Sequence, residues 1–435
     1  MIDNLRTIVG ANAVANGDRA CAFTVDGVTP SCVVSPATVD ELCRCVAAIA
    51  EADGALIPVG MGSRLTVGRP PRRYDVALST RRLRQVLAHE AADMTVSVEA
   101  GVTLAELNAL LGQSGQHLPL DPPHPERTTI GGLIAADASG PLRVSHGKVR
   151  DLLIGIKAVL ADGTLVKGGG RVVKNVAGYD LMKLFTGSYG SLGIIVEATF
   201  KLRPLPEHEV AIVVPAATTA AATTTALALL SAALAPLSVD MLNGAGARRC
   251  AIDGPAVVVS CGGLEDEIAV QAERVRASCH DRDVQVYDAV QSARLRHALR
   301  DWPAAGPAGG GSDRWGCRLS VSASHLPEVL SRLEDEGTRR GFELAMLAHV
   351  GSGVAVLRLD GSDAAHEPLS ELAGWVRATL RRLGGWAVFD VLPTALKAHL
   401  DPWGADIPGL ELMRGIKRTL DPHARLSPGR FVGGI

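Results

Sequence analysis

Aromatic side chains are scarce in this chain, at 3% of 435 residues. A surface that stacks bases needs them, so no nucleic-acid partner is expected. Neither sign of charge predominates: 44 Lys and Arg stand against 46 Asp and Glu, giving a net charge of −2. That balance removes the electrostatic basis for holding a polyanion or an acidic membrane surface. The cysteines Cys21, Cys32, Cys43, Cys45, Cys250, Cys261, Cys279 and Cys317 never fall in a C-x-x-C spacing. An iron–sulfur or zinc centre built by this chain alone is therefore not expected, and no metal site is assigned. The first twenty residues hold Asp3, Arg6, Asp18 and Arg19 and no apolar core, so no secretory signal is read there and a cytoplasmic location is expected. The most apolar long stretch, Ala211 to Ala235, is broken by Pro215 and loaded with Thr and Ala. It reads as a strand followed by a helix, without direct membrane insertion, so any membrane association would come through partners.

What is abundant is small. Gly, Ala and Val dominate, and 435 residues suffice for two or three domains with a large core. Thr38 and Glu41 form a T-x-x-E box ahead of LCRCVAAIAEA, and Thr103 and Glu106 repeat the device ahead of a second helix that Gly115 ends. Between them run the strands ALIPVG and MTVSVEAG. These units place an α/β domain over residues 1 to 205. From 206 to 419 strand–helix–strand patterns recur, with WGCRLSVS, ELAMLAHV, GVAVLRLD and GWAVFDVLP as strands, so the second domain is α+β. A Gly/Pro/Ala loop spans 303 to 313, and residues 420 to 435 form a turn-rich tail expected to pack back on the first domain.

Two glycine-rich motifs carry the chemical signal. In PVGMGSRL, residues 58 to 65, the N–H groups around Gly60 and Gly62 could form an anion-binding nest, with Ser63 adding a hydroxyl. A plain turn after a strand accounts for it equally well. Leu65 stands where G-x-G-x-x-G requires glycine, and no G-K-[ST] follows, so neither a Rossmann nor a Walker loop is present. In TTIGGLIAADASG, Thr128 or Thr129 can cap a short helix, Gly131 and Gly132 would let a phosphate approach its N-terminus, and Ser139-Gly140 would close it. A tightly packed small-residue helix explains the same residues. The conjunction of two such loops in separate α/β units suits a ligand with two ends.

PVGMGSRL, VSVEAGVTLAELNALL, TTIGGLIAADASG, VRDLLIGIKAVLADGTLV and GSYGSLGIIVEATFKL, in that order, resemble the FAD-linked oxidase superfamily of the vanillyl-alcohol oxidase type, with its PCMH-type FAD-binding domain. KNVAGYDLMKLFTGSYGSLG, ARLRHALRDWP, RWGCRLSV and DPHARLSPGRF look most like the FAD-binding E subunit of bacterial glycolate oxidases. The resemblance implies an FAD-binding domain of two α/β subdomains over 1–205, a ferredoxin-like α+β cap over 206–419 and a returning tail. It also implies cofactor-binding roles for Pro58, Val59, Gly60, Met61, Gly62, Ser63, Arg64 and Leu65 at the pyrophosphate. Thr129, Gly131, Gly132, Ala135, Ser139 and Gly140 would line the second side of the cofactor. Gly193, Ile194 and Ile195 would give backbone contacts near the adenine. Because the first loop has no His, noncovalent FAD is expected.

The departures narrow the function. Hydroxy-acid dehydrogenases of this superfamily carry a segment like H-x-G-D-G-N-x-H, suited to a divalent metal and the substrate hydroxyl. Here His349-Val-Gly-Ser-Gly-Val-Ala-Val keeps His349 and the glycines, with Val354 at the Asn position and Val356 at the second His. His349 is then expected to be an ordinary strand residue. Arg300 could clamp a carboxylate, His117 and His124 flank a Pro-rich loop, and Lys174 and Asn175 precede a turn; none is assigned as acid or base. The expectation is an FAD-holding subunit of a complex that oxidises glycolate or a related 2-hydroxy acid, partnered by a histidine-complete FAD-binding homologue and an iron–sulfur subunit. A stand-alone FAD-dependent dehydrogenase and a non-redox scaffold that has lost FAD are the alternatives.

Overall fold

The computed structural model describes all residues except 171–177, 280–281, 303, 305–314, 360–365 and 406. Lys174, Asn175 and nearly all of the 303–313 loop lie outside the described residues. The chain divides into two compact units. The first comprises Met1–Ala138, Lys148–Leu205 and Trp403–Ile435; the second comprises Ser139–Gly147 and Pro206–Pro402. The expected division at 205 and 419 differs in two places, because the short stretch from Ser139 joins the second unit and residues from Trp403 onward join the first.

Among its described residues the first unit holds two larger sheets and a two-stranded ladder of Gln116–His117 with Arg203–Pro204. One runs Val14–Asn16, Cys32–Val34, Val76–Ser79, Leu56–Val59 in spatial order, and the last three strands are parallel. Helix Val39–Glu51 connects two of them and buries Leu42, Cys45, Val46 and Ile49 against Leu56, Val76 and Leu78. Its expected box forms in a modified way: Thr38 Oγ1 accepts from Glu41 N at 3.1 Å, while Glu41 reaches one residue further back, to Ala37 N at 2.7 Å. The other sheet runs Val86–Glu90, Thr95–Glu99, Ile194–Lys201, Leu153–Val159, Leu165–Gly169, all antiparallel. Helix Leu104–Gly112 packs there through Leu104, Leu107 and Leu111, opened by a complete box between Thr103 and Glu106.

The C-terminal segment is stitched into this unit. Leu56 N donates to Arg425 O, and Ser427 N donates to Leu56 O, each at 2.8 Å. Lys417, buried, donates to Ser191 O at 2.7 Å, Leu426 O at 2.9 Å and Asp421 Oδ2 at 2.6 Å. Asp421 in turn accepts from the N–H groups of Arg425 and Leu426. Burial pulls the Lys417 ammonium below its usual pKa, and the Asp421 carboxylate opposes that shift.

The second unit is built from one motif used twice. Its first half is β1 His208–Pro215, α1 Thr219–Ser231, β2 Ser238–Leu242, β3 Ala256–Gly263, α2 Glu265–Ser278 and β4 Gln285–Val286. Its second half is β5 Trp315–Ser320, α3 Leu326–Arg339, β6 Ala345–His349, β7 Val354–Leu359, α4 His366–Arg382 and β8 Trp386–Val391. Each half is β-α-β-β-α-β, the ferredoxin-like order. The two halves join antiparallel through β2 and β6 into one eight-stranded sheet, β4-β1-β3-β2-β6-β7-β5-β8. Helices α1 to α4 cover one face over a core that includes Ile212, Met241, Trp315, Met346 and Phe389.

Replacing Lys417 with Met leaves the Asp421 carboxylate buried beside two carbonyls without their cation. The first unit should lose about 3–5 kcal/mol, read as a lower urea midpoint in chemical denaturation. A midpoint within error of the wild type would contradict the role given to this ion pair.

Candidate cofactor site

Small residues at one edge of the first unit leave a cleft that is partly open to solvent. Strand Leu56–Val59 delivers Pro58 and Val59 to its wall, and the following loop delivers Gly60, Met61, Gly62, Ser63, Arg64 and Leu65. The second wall is the short helix Ile130–Ala136, through Gly131, Gly132 and Ala135, with its N-cap Thr129. Gly193, Ile194 and Ile195 form a third wall. Ser139 and Gly140 do not line it and belong to the second unit. The helix closes at Asp137, two residues before the expected Ser139, because Asp137 takes a left-handed turn at φ 44°.

The glycines are required for different reasons. A Cβ on Gly60 would overlap the Thr129 hydroxyl. One on Gly131 would stand 2.9 Å from Ala100 Cβ, and one on Gly193 would stand 2.7 Å from Phe185 Cε1. These three let protein approach protein. Gly62, at φ 75°, supplies a left-handed turn. Gly132 is exposed, and a Cβ there would meet only Thr129 Oγ1, at 3.1 Å. It is the position where the cleft stays open along the helix.

Sequence reasoning missed the residues that complete the cleft: Val67, Thr80, Tyr189, Gly190, Trp403 and Arg430. Tyr189 (φ 51°) meets Trp403 edge-on at 5.0 Å and stacks on Phe431 at 5.8 Å. Trp403 Nε1 donates to Arg430 O at 2.9 Å. Arg430 Nη2 donates to the carbonyls of Leu65 and Val67, the latter at 2.8 Å. Burial lowers the Arg430 pKa, with Asp26 and Tyr74 opposing the shift; the group stays cationic. Arg64 and Arg430 are the charged lining residues, and among the described residues no acid, His or Cys lines the cleft.

The other singled-out groups do not converge on it. Arg300 closes its fork on its neighbour Asp301, with two contacts of 2.7 Å. His117 lies in a two-stranded ladder opposite Arg203, and His124 pairs with Glu126 at 3.5 Å. In the second unit His349 Nδ1 sits 2.6 Å from Asp240 Oδ1, and Ser238 Oγ donates to Asp240 Oδ2 at 2.6 Å. Val354 is the cross-strand partner of His349. Among the described residues no three His, Cys, Asp or Glu side chains group as metal ligands.

Residues 30–169 match the FAD binding domain model, and residues 205–431 match the model of the C-terminal domain of FAD linked oxidases. The chain belongs to the FAD-linked oxidases. The mitochondrial D-lactate dehydrogenase [cytochrome] of Arabidopsis thaliana is 28% identical, covering 99% of this chain and 80% of its own. The glycolate oxidase subunit GlcE of Escherichia coli is 37% identical over 152 residues, covering 35% of this chain and 43% of its own. In fold, the chain superposes on p-cresol methylhydroxylase with a TM-score of 0.77 at 16% identity, covering 99% and 95% of the two chains. Its architecture is the α+β one of that fold, an FAD-binding domain followed by a C-terminal domain, and FAD is its cofactor. The cleft fits such a group. It has an open glycine position beside a helix-capping threonine, a loop of backbone donors, and positive charge without acidic neighbours.

Gly60→Ala should destabilise the protein by about 1–3 kcal/mol through overpacking. In a Thr129→Ala background, where the clashing hydroxyl is gone, the same change should cost less than half as much. Thermal unfolding of the four proteins checks this, and equal costs in both backgrounds would refute the contact.

Proposed function

We propose that this chain is the FAD-holding subunit of a complex that oxidises glycolate, or a related small 2-hydroxy acid, to the 2-oxo acid. Its partners would be a homologue with the complete histidine segment and an iron–sulfur subunit. The observation that carries the proposal is the contrast between the two units. The first keeps a cleft lined by Pro58–Leu65, Thr129, Gly132 and Gly193–Ile195. The second has Val354 opposite His349, while His349 Nδ1 is already engaged by Asp240. A metal-holding arm needs a second donor where Val354 and Val356 stand, and an aliphatic side chain offers none. The local identity to GlcE supports the same assignment.

When bound, FAD supplies the electron acceptor, and the protein supplies position and field. Backbone N–H groups of Gly60–Arg64 would take the diphosphate, with the Ser63 hydroxyl beside them. Gly132, exposed and without a side chain, would leave room for the cofactor along the helix, and Gly193–Ile195 would meet the adenine end through backbone. With no His or Cys among the described lining residues, the cofactor would be held without a covalent bond.

A second reading is supported by the end-to-end likeness to a D-lactate dehydrogenase: a chain that oxidises its hydroxy acid alone. Purification from the native host separates the two. The complex predicts co-purifying homologous and cysteine-rich chains, about one acid-releasable flavin per copy of this chain, and no dye reduction by the isolated chain with glycolate or D-lactate. Full-rate reduction by the isolated, yellow protein would transfer the assignment to the second reading. A colourless protein would sink both.

A further inference from the structure

We infer that Arg430 supplies the positive charge that holds the diphosphate of FAD, which makes the C-terminal segment part of the cofactor site. The inference rests on the cleft being the FAD site. It starts from an electrostatic anomaly. Arg430 is 8% exposed, yet among the described residues no carboxylate forms an ion pair with it. A buried cation without a counter-ion is costly, and buried charges are ordinarily paired. Asp26 and Tyr74 act on it only through their field.

Its hydrogen bonds show what is left over. Nη2 is taken by the carbonyls of Leu65 and Val67, which fixes the plane of the guanidinium. Nε is buried and has no partner. A buried, unsatisfied donor on a charged group points to an acceptor that occupies the site in the working protein. Arg430 also lines the cleft directly, and no acidic side chain among the described residues lines it.

Position decides which part of FAD this is. The carbonyls that grip Nη2 lie at the end of the loop Pro58–Leu65, where the N–H groups of Gly60–Arg64 would receive the diphosphate. A diphosphate diester carries two negative charges, which the Arg430 cation can offset while Nε, the donor left over, serves one phosphate oxygen. The charge therefore stands beside the nest, one supplying net charge and the other N–H dipoles. The rival account is local: the Tyr74 hydroxyl is also buried without a partner and could share a bridging water with Nε.

The test titrates full-length apoprotein with FAD and with riboflavin, which lacks phosphate, following flavin fluorescence. Arg430→Gln should weaken FAD binding roughly 10- to 100-fold and leave riboflavin affinity unchanged. Arg430→Lys, which keeps the charge but not Nε, should lose clearly less than Arg430→Gln. Tyr74→Phe should bind FAD like the wild type. Equal losses for FAD and riboflavin would show that Arg430 only braces the loop, and would overturn the inference. So would Arg430→Lys binding FAD as weakly as Arg430→Gln, undiminished FAD binding by Arg430→Gln, or a Tyr74→Phe loss matching it. A wild-type protein that binds no FAD would instead defeat the cofactor assignment on which the inference rests.

Discussion

The first unit depends on one approach that no side chain would permit: the backbone at Gly60 lies against the hydroxyl of Thr129. That hydroxyl also caps the helix Ile130–Ala136, accepting from Gly132 N at 3.2 Å. One oxygen therefore sets both the start of the helix and the distance between the two glycine-rich segments. Gly131, close against Ala100, and Gly193, close against Phe185, extend the same tight seam. The cleft is what remains on the outer side of the seam. Its width follows from packing between protein groups, so the cofactor enters a space that is already shaped.

Much of this was legible along the chain because the signals are local. The T-x-x-E boxes at Thr38 and Thr103, the strand Leu56–Val59 and the helix after Thr129 each announce themselves within a few residues. The first loop and the positions around Thr129 and Gly193 were named from motifs, and they line the cleft. Three glycines were given ligand-approach roles that spacing alone cannot separate from packing. The partner atoms on Ala100, Thr129 and Phe185 settle the matter only in three dimensions. Tyr189, Trp403 and Arg430 were not found for a related reason. They reach the cleft by long-range closure, and a lone Trp or Arg in a turn-rich tail has no periodicity to mark it.

The second unit repeats one topological order, and its two halves are joined by a polar contact. Two ferredoxin-like halves meet at a seam of three paired positions, among them Asp240 opposite His349. There a fully buried carboxyl group is satisfied by one imidazole and one hydroxyl. A histidine so placed holds two halves of a sheet together, which gives it a structural reason to be present whatever chemistry its relatives perform. Strand β7 then presents Val354 and Val356, β-branched residues that favour sheet packing and offer no donor for ligation.

The C-terminal segment from Trp403 to Ile435 belongs to the unit that begins at Met1, and the whole of Pro206–Pro402 lies between them in the chain. During synthesis the second unit is therefore complete before the cleft has its Trp403 and Arg430. The cofactor unit closes only after Trp403–Ile435 has followed the second unit off the ribosome. The cleft is thus assembled from segments made far apart in time, with a separately folding unit synthesised between them.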